Sequence, residues 1–295
     1  MSTFARETLC RIWQITRRDG LRLGFTDHDR DLEFAGLMCR AGSGLTASAL
    51  VKSAGLSVDN AEAAGALSDA AIREEDLTAG RFDGAEIAIW LVDWQDLSQA
   101  EPLFNGTLGE ITRHGLSFRC ELRGLSEALS QPIGHAYTRS CSAVLGDARC
   151  GFDLRQPGYL LELPVEEVDA AGRLFRLRIE EEYPPGWFTT GRLKMISGAA
   201  AGLEAMIQSD RLVPGGREIG LWQSIRAEIR PGDHLELSPG CDRRAVTCRQ
   251  KFNNLKNFRG FPHLPSEDWL TSWPRQGQGN AGGSLFLSSG PGEGL

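Results

Sequence analysis

Four of the seven cysteines in this 295-residue chain occur in two pairs, each beside glycine and turn residues. Eight residues separate Cys141 from Cys150, and six separate Cys241 from Cys248. Thiolates grouped in this way can ligate zinc or an iron–sulfur cluster. Zinc ribbons use tighter C-x2-C knuckles because one small ion needs closely converging ligands. The spacing therefore favours an iron–sulfur cluster of the 4Fe-4S type, with zinc as the alternative.

The segment that follows Cys241 is basic and rich in amide side chains, and only Asp242 opposes its charge. An oxidised four-iron cluster with four thiolates carries about two net negative charges, which are costly to bury without cations or hydrogen-bond donors. We therefore expect a basic cradle around an anionic cluster. Its members would be Arg243, Arg244, Arg249, Lys251, Asn253, Asn254, Lys256, Asn257 and Arg259.

The remaining three cysteines have a plainer interpretation. Cys10 and Cys120 lie in strand-like sequence and Cys39 is isolated, so all three are expected to be buried core thiols. An odd cysteine count speaks against a complete disulfide framework.

Composition narrows the class of protein. The chain is 41% hydrophobic and 24% charged, and it contains no apolar run of about 18 residues that could span a membrane. The N-terminus lacks the pattern of a signal peptide, which predicts a cytoplasmic place of synthesis. A net charge of -7 argues against a general nucleic-acid coat.

Short segments of alternating hydrophobicity predict a mainly β fold with short helices. Hairpins are expected to turn at Asp19-Gly20 and at His114-Gly115, and Gly84–Trp94 reads as a strand buried on both faces. Helices are predicted at residues 69–79 and, as a short connector, at Leu45–Gly55.

The predicted architecture combines β-barrel or sandwich domains with a small irregular cysteine-containing domain. Residues 1–130 form a β-rich domain, and residues 131–268 hold the cysteines around an inserted β domain at about 157–240. Residues 269–295 form a tail rich in glycine and serine.

Two alternatives invoke other chemistry. Cys150 could be a nucleophile with His135 or His263 as its base, which would make the chain a peptidase-like enzyme. His28 could join neighbouring aspartates in a cation site, although a solvated acidic turn is the simpler interpretation. The aspartates concerned are Asp27, Asp29 and Asp31.

A third alternative is nucleic-acid binding by residues 242–259, where Phe252 and Phe258 interleave with basic side chains. The overall acidity of the chain weakens it. Four tryptophans lie in apolar strand-like segments, so we assign them to cores or subunit contacts rather than to a ligand site. They are Trp90, Trp94, Trp187 and Trp222.

The blocks CSAVLGDARCGFDL and CDRRAVTCRQKFNNLKNFRGFPHLP resemble a family of phage tail hub and tail tip proteins. That family includes the tail hub protein of gene transfer agents and, more distantly, the tail tip protein L of phage lambda. The N-terminal WQITRRDGLRLGFTDHDRDLEF is similar to the opening hairpin of the family. The resemblance covers nearly the whole chain.

The resemblance implies that Cys141, Cys150, Cys241 and Cys248 hold the iron–sulfur cluster, and none of the four is missing here. It also implies β-barrel hub domains and a homotrimeric ring at the baseplate of a phage-like particle. The partners would be the distal tail protein and the tip or central fibre proteins, with DNA only in transit. No catalytic residue is expected, and the cluster would be structural, with a redox switch as the less favoured role.

Overall fold

The computed structural model describes residues 8–42, 46–48, 60–66, 72–114, 117–125, 133–179 and 182–264. Within these ranges the chain forms sixteen strands, two short α-helices and one 3-10 helix. The expectation of a mainly β fold with short helices is confirmed. No helix in the described ranges is both long and apolar enough to cross a membrane.

The first sheet has nine strands, and its central strands are buried on both faces. Cys10 and Ile12 contribute to one apolar cluster, whereas Trp13 and Ile15 contribute to the other. The order across the sheet is β3-β4-β2-β1-β7-β8-β9-β6-β5. The strands are β1 (Leu9–Thr16), β2 (Arg22–Thr26), β3 (Leu32–Phe34), β4 (Leu37–Arg40), β5 (Thr46–Ser48), β6 (Asn60–Ala66), β7 (Glu86–Asp93), β8 (Asp96–His114) and β9 (Ser117–Gly124).

The predicted hairpins and buried strand are present. Strands β1 and β2 pair antiparallel around a turn in which Gly20 has a φ of 87°. That left-handed conformation costs glycine little because it has no Cβ. Strand β7 occupies the predicted buried segment, and β8 pairs with β9 up to His114 and Ser117, while Gly115 of the predicted turn lies outside the described residues.

The helix predictions were less accurate. Helix α1 covers only Glu74–Thr78, and residues 69–71 lie outside the described residues. The connector helix is wrong at Thr46–Ser48, because these residues form β5 and pair antiparallel with β6. Cross-strand hydrogen bonds override the helical preference of such a short segment. The rest of that connector, 45 and 49–55, lies outside the described residues.

The second sheet has seven strands and curls around one apolar core. Its order is β10-β16-β13-β14-β15-β12-β11, and the ladder between β14 and β15 shifts register between Ile207 and Ser209. A bulge of this kind bends a strand and increases its twist. The strands are β10 (Leu161–Pro164), β11 (Glu167–Val168), β12 (Leu174–Leu177), β13 (Arg192–Met195), β14 (Glu204–Val213), β15 (Gly216–Leu221) and β16 (His234–Leu237).

A buried ion pair fastens a loop against this second core. The Arg217 guanidinium lies 2.8 Å from the Asp210 carboxylate, and the two side chains are 3% and 0% exposed. Asp210 also accepts a hydrogen bond from the Phe188 N–H, and Arg217 lies 5.4 Å from the centre of the Phe188 ring. Charges buried this deeply are tolerated because they are paired and hydrogen-bonded.

The chain divides into two compact units. The first consists of residues 1–135 and 153–242 and therefore includes both sheets. The second consists of residues 136–152 and 243–295, so it is assembled from two segments that are distant in sequence.

Candidate metal centre

The two segments of the second unit are joined by backbone hydrogen bonds close to Cys141. The Cys141 N–H donates to the Arg243 carbonyl at 2.9 Å, and the Ser142 N–H donates to the Arg259 carbonyl at 3.1 Å. The Arg259 N–H in turn donates to the Cys141 Sγ at 3.3 Å. The first cysteine is thus held between two points of the second block.

Asp147 shapes the loop between the first two cysteines. Its carboxylate accepts hydrogen bonds from the N–H groups of Val144 and Cys150, at 2.9 and 2.6 Å. Its carbonyl accepts from the Gly151 N–H at 2.8 Å. The hydrogen bond from the Cys150 N–H, followed by that from Val144, lowers the pKa of Asp147 because both favour the charged carboxylate. The carboxylate therefore fixes the loop that carries Cys150.

Cys248 is the buried residue of helix α2 (Ala245–Gln250). The helix begins at Ala245, two residues after Arg243, whose φ of 62° marks a sharp turn, and the Cys248 N–H donates to the Arg244 carbonyl. The helix ends at Gln250, and beyond its end the Asn254 N–H donates to the Cys248 carbonyl at 3.0 Å. A 3-10 helix (Leu255–Asn257) follows.

Asn254 reaches from this second block to Cys150. Its Nδ2 lies 2.8 Å from the Cys150 carbonyl oxygen and 3.5 Å from the Cys150 Sγ. Its Oδ1 accepts a hydrogen bond from the Asn257 Nδ2 at 2.8 Å. Both cysteines of the first pair therefore have an N–H donor from the second block at their sulfur.

The structure places three of the four predicted ligands, Cys141, Cys150 and Cys248, in the second unit. Cys241 falls in the last residues assigned to the first unit, two residues before Arg243 along the chain. Cys248 is buried and the other three are partly exposed. Among the described residues, no three His, Cys, Asp or Glu side chains converge closely enough to hold a single metal ion.

The predicted donor cradle differs in detail from the contacts observed. At the sulfurs of Cys141 and Cys150 the donors are the amide of Asn254 and the backbone N–H of Arg259. The Arg259 guanidinium instead donates to a backbone carbonyl, that of Arg149, at 3.3 Å. A side chain with a flexible stem is free to find another acceptor, whereas a backbone N–H is fixed by the fold.

Sequence reasoning missed three residues of the first block. Asp147 fixes the loop, and Arg149 donates to the Ser142 hydroxyl at 2.7 Å. The signal that could have found them is the composition of the loop itself, because aspartate readily accepts hydrogen bonds from backbone N–H groups in turns.

The described part of the second unit buries few apolar side chains. In its described residues the buried apolar side chains are Ala143, Phe152, Cys248 and Phe252. The rings of Phe152 and Phe252 meet edge to face with centroids 5.1 Å apart, one from each segment. Because Phe252 is buried in this contact, it is not available to stack on bases, which removes one support for nucleic-acid binding.

The contacts of Cys150 do not support its interpretation as a catalytic nucleophile, because the described residues place no histidine base beside it. Cys150 is bonded to Asp147 and Asn254, and neither His135 nor His263 is among its partners in the described ranges. Both histidines are exposed. An activated thiol would need a histidine within hydrogen-bond reach.

The carboxylates of the acidic turn after β2 already accept hydrogen bonds from backbone N–H groups of the protein. Asp27 accepts a hydrogen bond from the Arg11 N–H at 2.6 Å, and Asp31 accepts one from the Ala41 N–H at 2.8 Å. His28 lies 3.0 Å from an Asp29 carboxylate oxygen. These contacts support the structural interpretation of the turn.

The three remaining cysteines are buried core thiols, as expected. Burial raises the pKa of Cys39 to about 11 and that of Cys120 to about 12, and it also raises the pKa of Cys10. Thiols of this kind are poor nucleophiles and poor metal ligands near neutral pH.

Two family models match different parts of the chain. Residues 3–153 match the family model described as baseplate hub protein, N-terminal attachment domain, and residues 186–268 match the model described as phage conserved hypothetical protein BR0599. No curated protein matches.

A solved structure is similar over almost the whole chain. It is a chain of the virion of a native gene transfer agent particle, with 50% sequence identity and a TM-score of 0.87. The match covers 96% of this chain and 97% of that chain. With the model match over residues 3–153, this identity shows that the chain belongs to the baseplate hub protein family.

Proposed function

We propose that the chain is a structural hub of a phage-like tail baseplate, made in the bacterial cytoplasm and incorporated into the particle. The observation that carries this proposal is the match to a chain of a gene transfer agent virion along nearly the full length of both. The match to a hub attachment domain supports the same role. An assembly function needs no catalytic residue, and none is assigned.

The second unit provides the physical argument for an iron–sulfur cluster. Its described part, residues 136–152 and 243–264, contains few buried apolar side chains. Parts of a chain whose cores are small are usually stabilised by disulfides, metals or oligomerisation. The structure forms no disulfide among its seven cysteines, all of which lie in the described ranges. A metal cluster is the cross-link that these thiols could supply.

The donor set fits this group. Cys141, Cys150, Cys241 and Cys248 would be the ligands, and N–H donors already lie at two of the four sulfurs. Such donors stabilise the negative charge of an iron–sulfur cluster.

When bound, the cluster would supply a covalent cross-link between chain segments. About ninety residues lie between Cys150 and Cys241, so binding would close a long loop at a fixed point. By analogy with disulfides, closing a loop of this size removes about 4–5 kcal/mol of unfolded-chain entropy. A hub must withstand load during DNA ejection, and the cross-link would serve that requirement.

The oligomer and its neighbours are part of the same proposal. The hub would form a homotrimeric ring that joins the tail tube to the tip, with the distal tail protein and the tip or central fibre proteins as partners. DNA would pass through the ring without being gripped, which is consistent with a net charge of -7. We also propose the domain boundaries: a first domain ends near residue 130, and a second ends near residue 268 and contains an inserted domain at about 157–240. In the assembled hub the sheets would close into barrels.

The role is tested in a host that produces the particles. Deleting the gene is expected to leave particles without functional tails, seen by electron microscopy and as loss of DNA delivery. Complementation with Cys241→Ser is expected to fail, because the hub misfolds or aggregates. Normal tails in the deletion strain would overturn the hub assignment, and normal tails with Cys241→Ser alone would overturn the structural role of the cluster.

The ring is tested separately by counting copies of the chain in purified particles. Three copies per tail, found by quantitative mass spectrometry against a tail protein of known copy number, would support the homotrimer. Any other number would overturn it.

A further inference from the structure

One residue connects two of the proposed ligands. The Asn254 N–H donates to the Cys248 carbonyl at 3.0 Å, and its side-chain Nδ2 lies 2.8 Å from the Cys150 carbonyl oxygen. The same Nδ2 lies 3.5 Å from the Cys150 Sγ. An amide nitrogen carries two hydrogens, so it can serve both the carbonyl and the sulfur. A shift of Asn254 would therefore disturb both cysteines.

The orientation of this amide is set by its neighbour. Because the Asn254 Oδ1 accepts a hydrogen bond from the Asn257 Nδ2, the nitrogen of Asn254 must face Cys150. Gly151, the neighbour of Cys150, has a φ of 62°, a left-handed conformation that glycine adopts without strain.

We propose that Asn254 is a positioning residue that donates a hydrogen bond to the ligand sulfur of Cys150 and thereby raises the reduction potential of the cluster. This inference rests on the proposed cluster. One added electron makes the cluster and its thiolates more negative, so a donor at sulfur stabilises the reduced form more than the oxidised form. Asn257 contributes by locking the amide in the donating orientation.

Asn253 offers a matched control one position away. It is exposed, and its side chain has no hydrogen bond to a cysteine in the described part of the chain. Its φ of 47° is a conformation that both asparagine and aspartate tolerate. Asn253→Asp therefore adds one negative charge near the centre without removing a donor, whereas Asn254→Asp adds the same charge and removes the donor.

The test is a redox titration of anaerobically purified full-length chain, with iron and sulfide quantified for every variant. Dithionite supplies the electron, and electron paramagnetic resonance measures the reduced fraction. Asn254→Leu, which removes the donor without adding charge, is expected to lower the ratio of reduced to oxidised cluster at a fixed potential several-fold, because the hydrogen bond to sulfur is stronger in the more negative reduced state. Asn254→Asp should lower it further, and Asn253→Asp should change it much less.

Asn257→Ala is the second variant, and it tests the inference even if the Asn254 variants do not retain a cluster. It leaves Asn254 in place but releases the amide, so a smaller shift in the same direction is expected. A potential unchanged in Asn257→Ala and in every loaded Asn254 variant would overturn the inference while leaving the cluster itself intact. Wild-type chain without iron would instead overturn the proposed cluster, and the inference with it.

Discussion

The two compact units of this protein are held together by different means. In the first unit, the curled sheet packs large side chains such as Phe175, Phe188 and Leu193 at 0% exposure. In the described part of the second unit no strand is present, and two short segments meet through hydrogen bonds and two aromatic pairs. Burial of each large apolar side chain contributes about 1.5–3 kcal/mol, so the first unit has a source of stability that is scarce in the described part of the second unit.

This difference in core size between the units separates the proposed ligand cysteines from the other three. Three of the four cysteines proposed as ligands belong to the second unit, whose described part has few buried apolar side chains, and Cys241 precedes its second segment by two residues along the chain. The three cysteines in the nine-stranded sheet are buried, and burial raises the pKa of each. Thiols in a strong apolar core serve packing, whereas thiols beside a weak one are candidates for cross-linking.

Loss of a proposed ligand is expected to have the largest effect on stability, and this effect should be confined to the second unit. Cys248→Ser is expected to abolish iron binding and to destabilise the second unit by about 4–5 kcal/mol, since the long loop is no longer closed. Hydrogen exchange in residues 136–152 and 243–264 should rise strongly, while exchange in the nine-stranded sheet should change little.

The matched control is Cys39→Ala, which removes a buried thiol from the sheet. It should lower the stability of the first unit without changing the iron content. If Cys248→Ser and Cys39→Ala affect the same segments equally, the contrast between the units is lost.

A cavity in the second sheet should have the converse effect. Phe175→Ala is expected to cost about 3–5 kcal/mol in denaturant unfolding, because Phe175 is fully buried in that core. Iron per folded chain should remain as in the wild type. Loss of iron in proportion to stability would show that the cluster depends on the sheet rather than on its own unit.

A smaller effect is expected where the two segments of the second unit approach most closely. A Cβ at Gly260 would lie 2.6 Å from the Ser140 carbonyl oxygen, so Gly260→Ala must push the segments apart. Forcing extra volume into such a contact costs about 1–3 kcal/mol. Iron retention during dialysis against a chelator should fall, whereas Val246→Ala, at an exposed position of helix α2, should behave as the wild type. Equal retention by both variants would contradict this contact as a support of the centre.

The smallest effect concerns pH and the core thiols. The folded pKa values of Cys39 and Cys120, about 11 and about 12, lie above the ordinary value of 9.0 because of burial. In the unfolded chain these thiols ionise near 9.0, so the free energy of unfolding is unaffected well below pH 9 and decreases as pH rises from 9 towards 11. Denaturant unfolding at pH 8 and pH 10 checks the direction. Ionisation of these thiols near 9 in the folded chain would contradict it.

The sequence predicted those parts of the fold that depend on simple periodicity. Strand β7 and the hairpin of β1 and β2 could be predicted because apolar residues and a glycine turn fix them locally. Helix α1 was predicted too long, and β5 was predicted as helix. Its pairing with β6 is a tertiary contact that no local pattern contains.

At the candidate centre, the sequence pointed to the cysteines and to a surrounding set of donors. It could not show which donors reach sulfur, because the backbone N–H of Arg259 and the amide of Asn254 act across more than one hundred residues of chain. The hydrogen bonds of Asp147 were missed because a single aspartate in a loop has many possible acceptor roles.

The most direct test of the account is metal and sulfide analysis of anaerobically purified protein together with its visible absorption spectrum. We predict about four irons and four sulfides per chain and a brown protein, as for a 4Fe-4S centre held by four cysteines. One zinc per chain in a colourless protein, or no metal at all with the second unit still ordered, would contradict it.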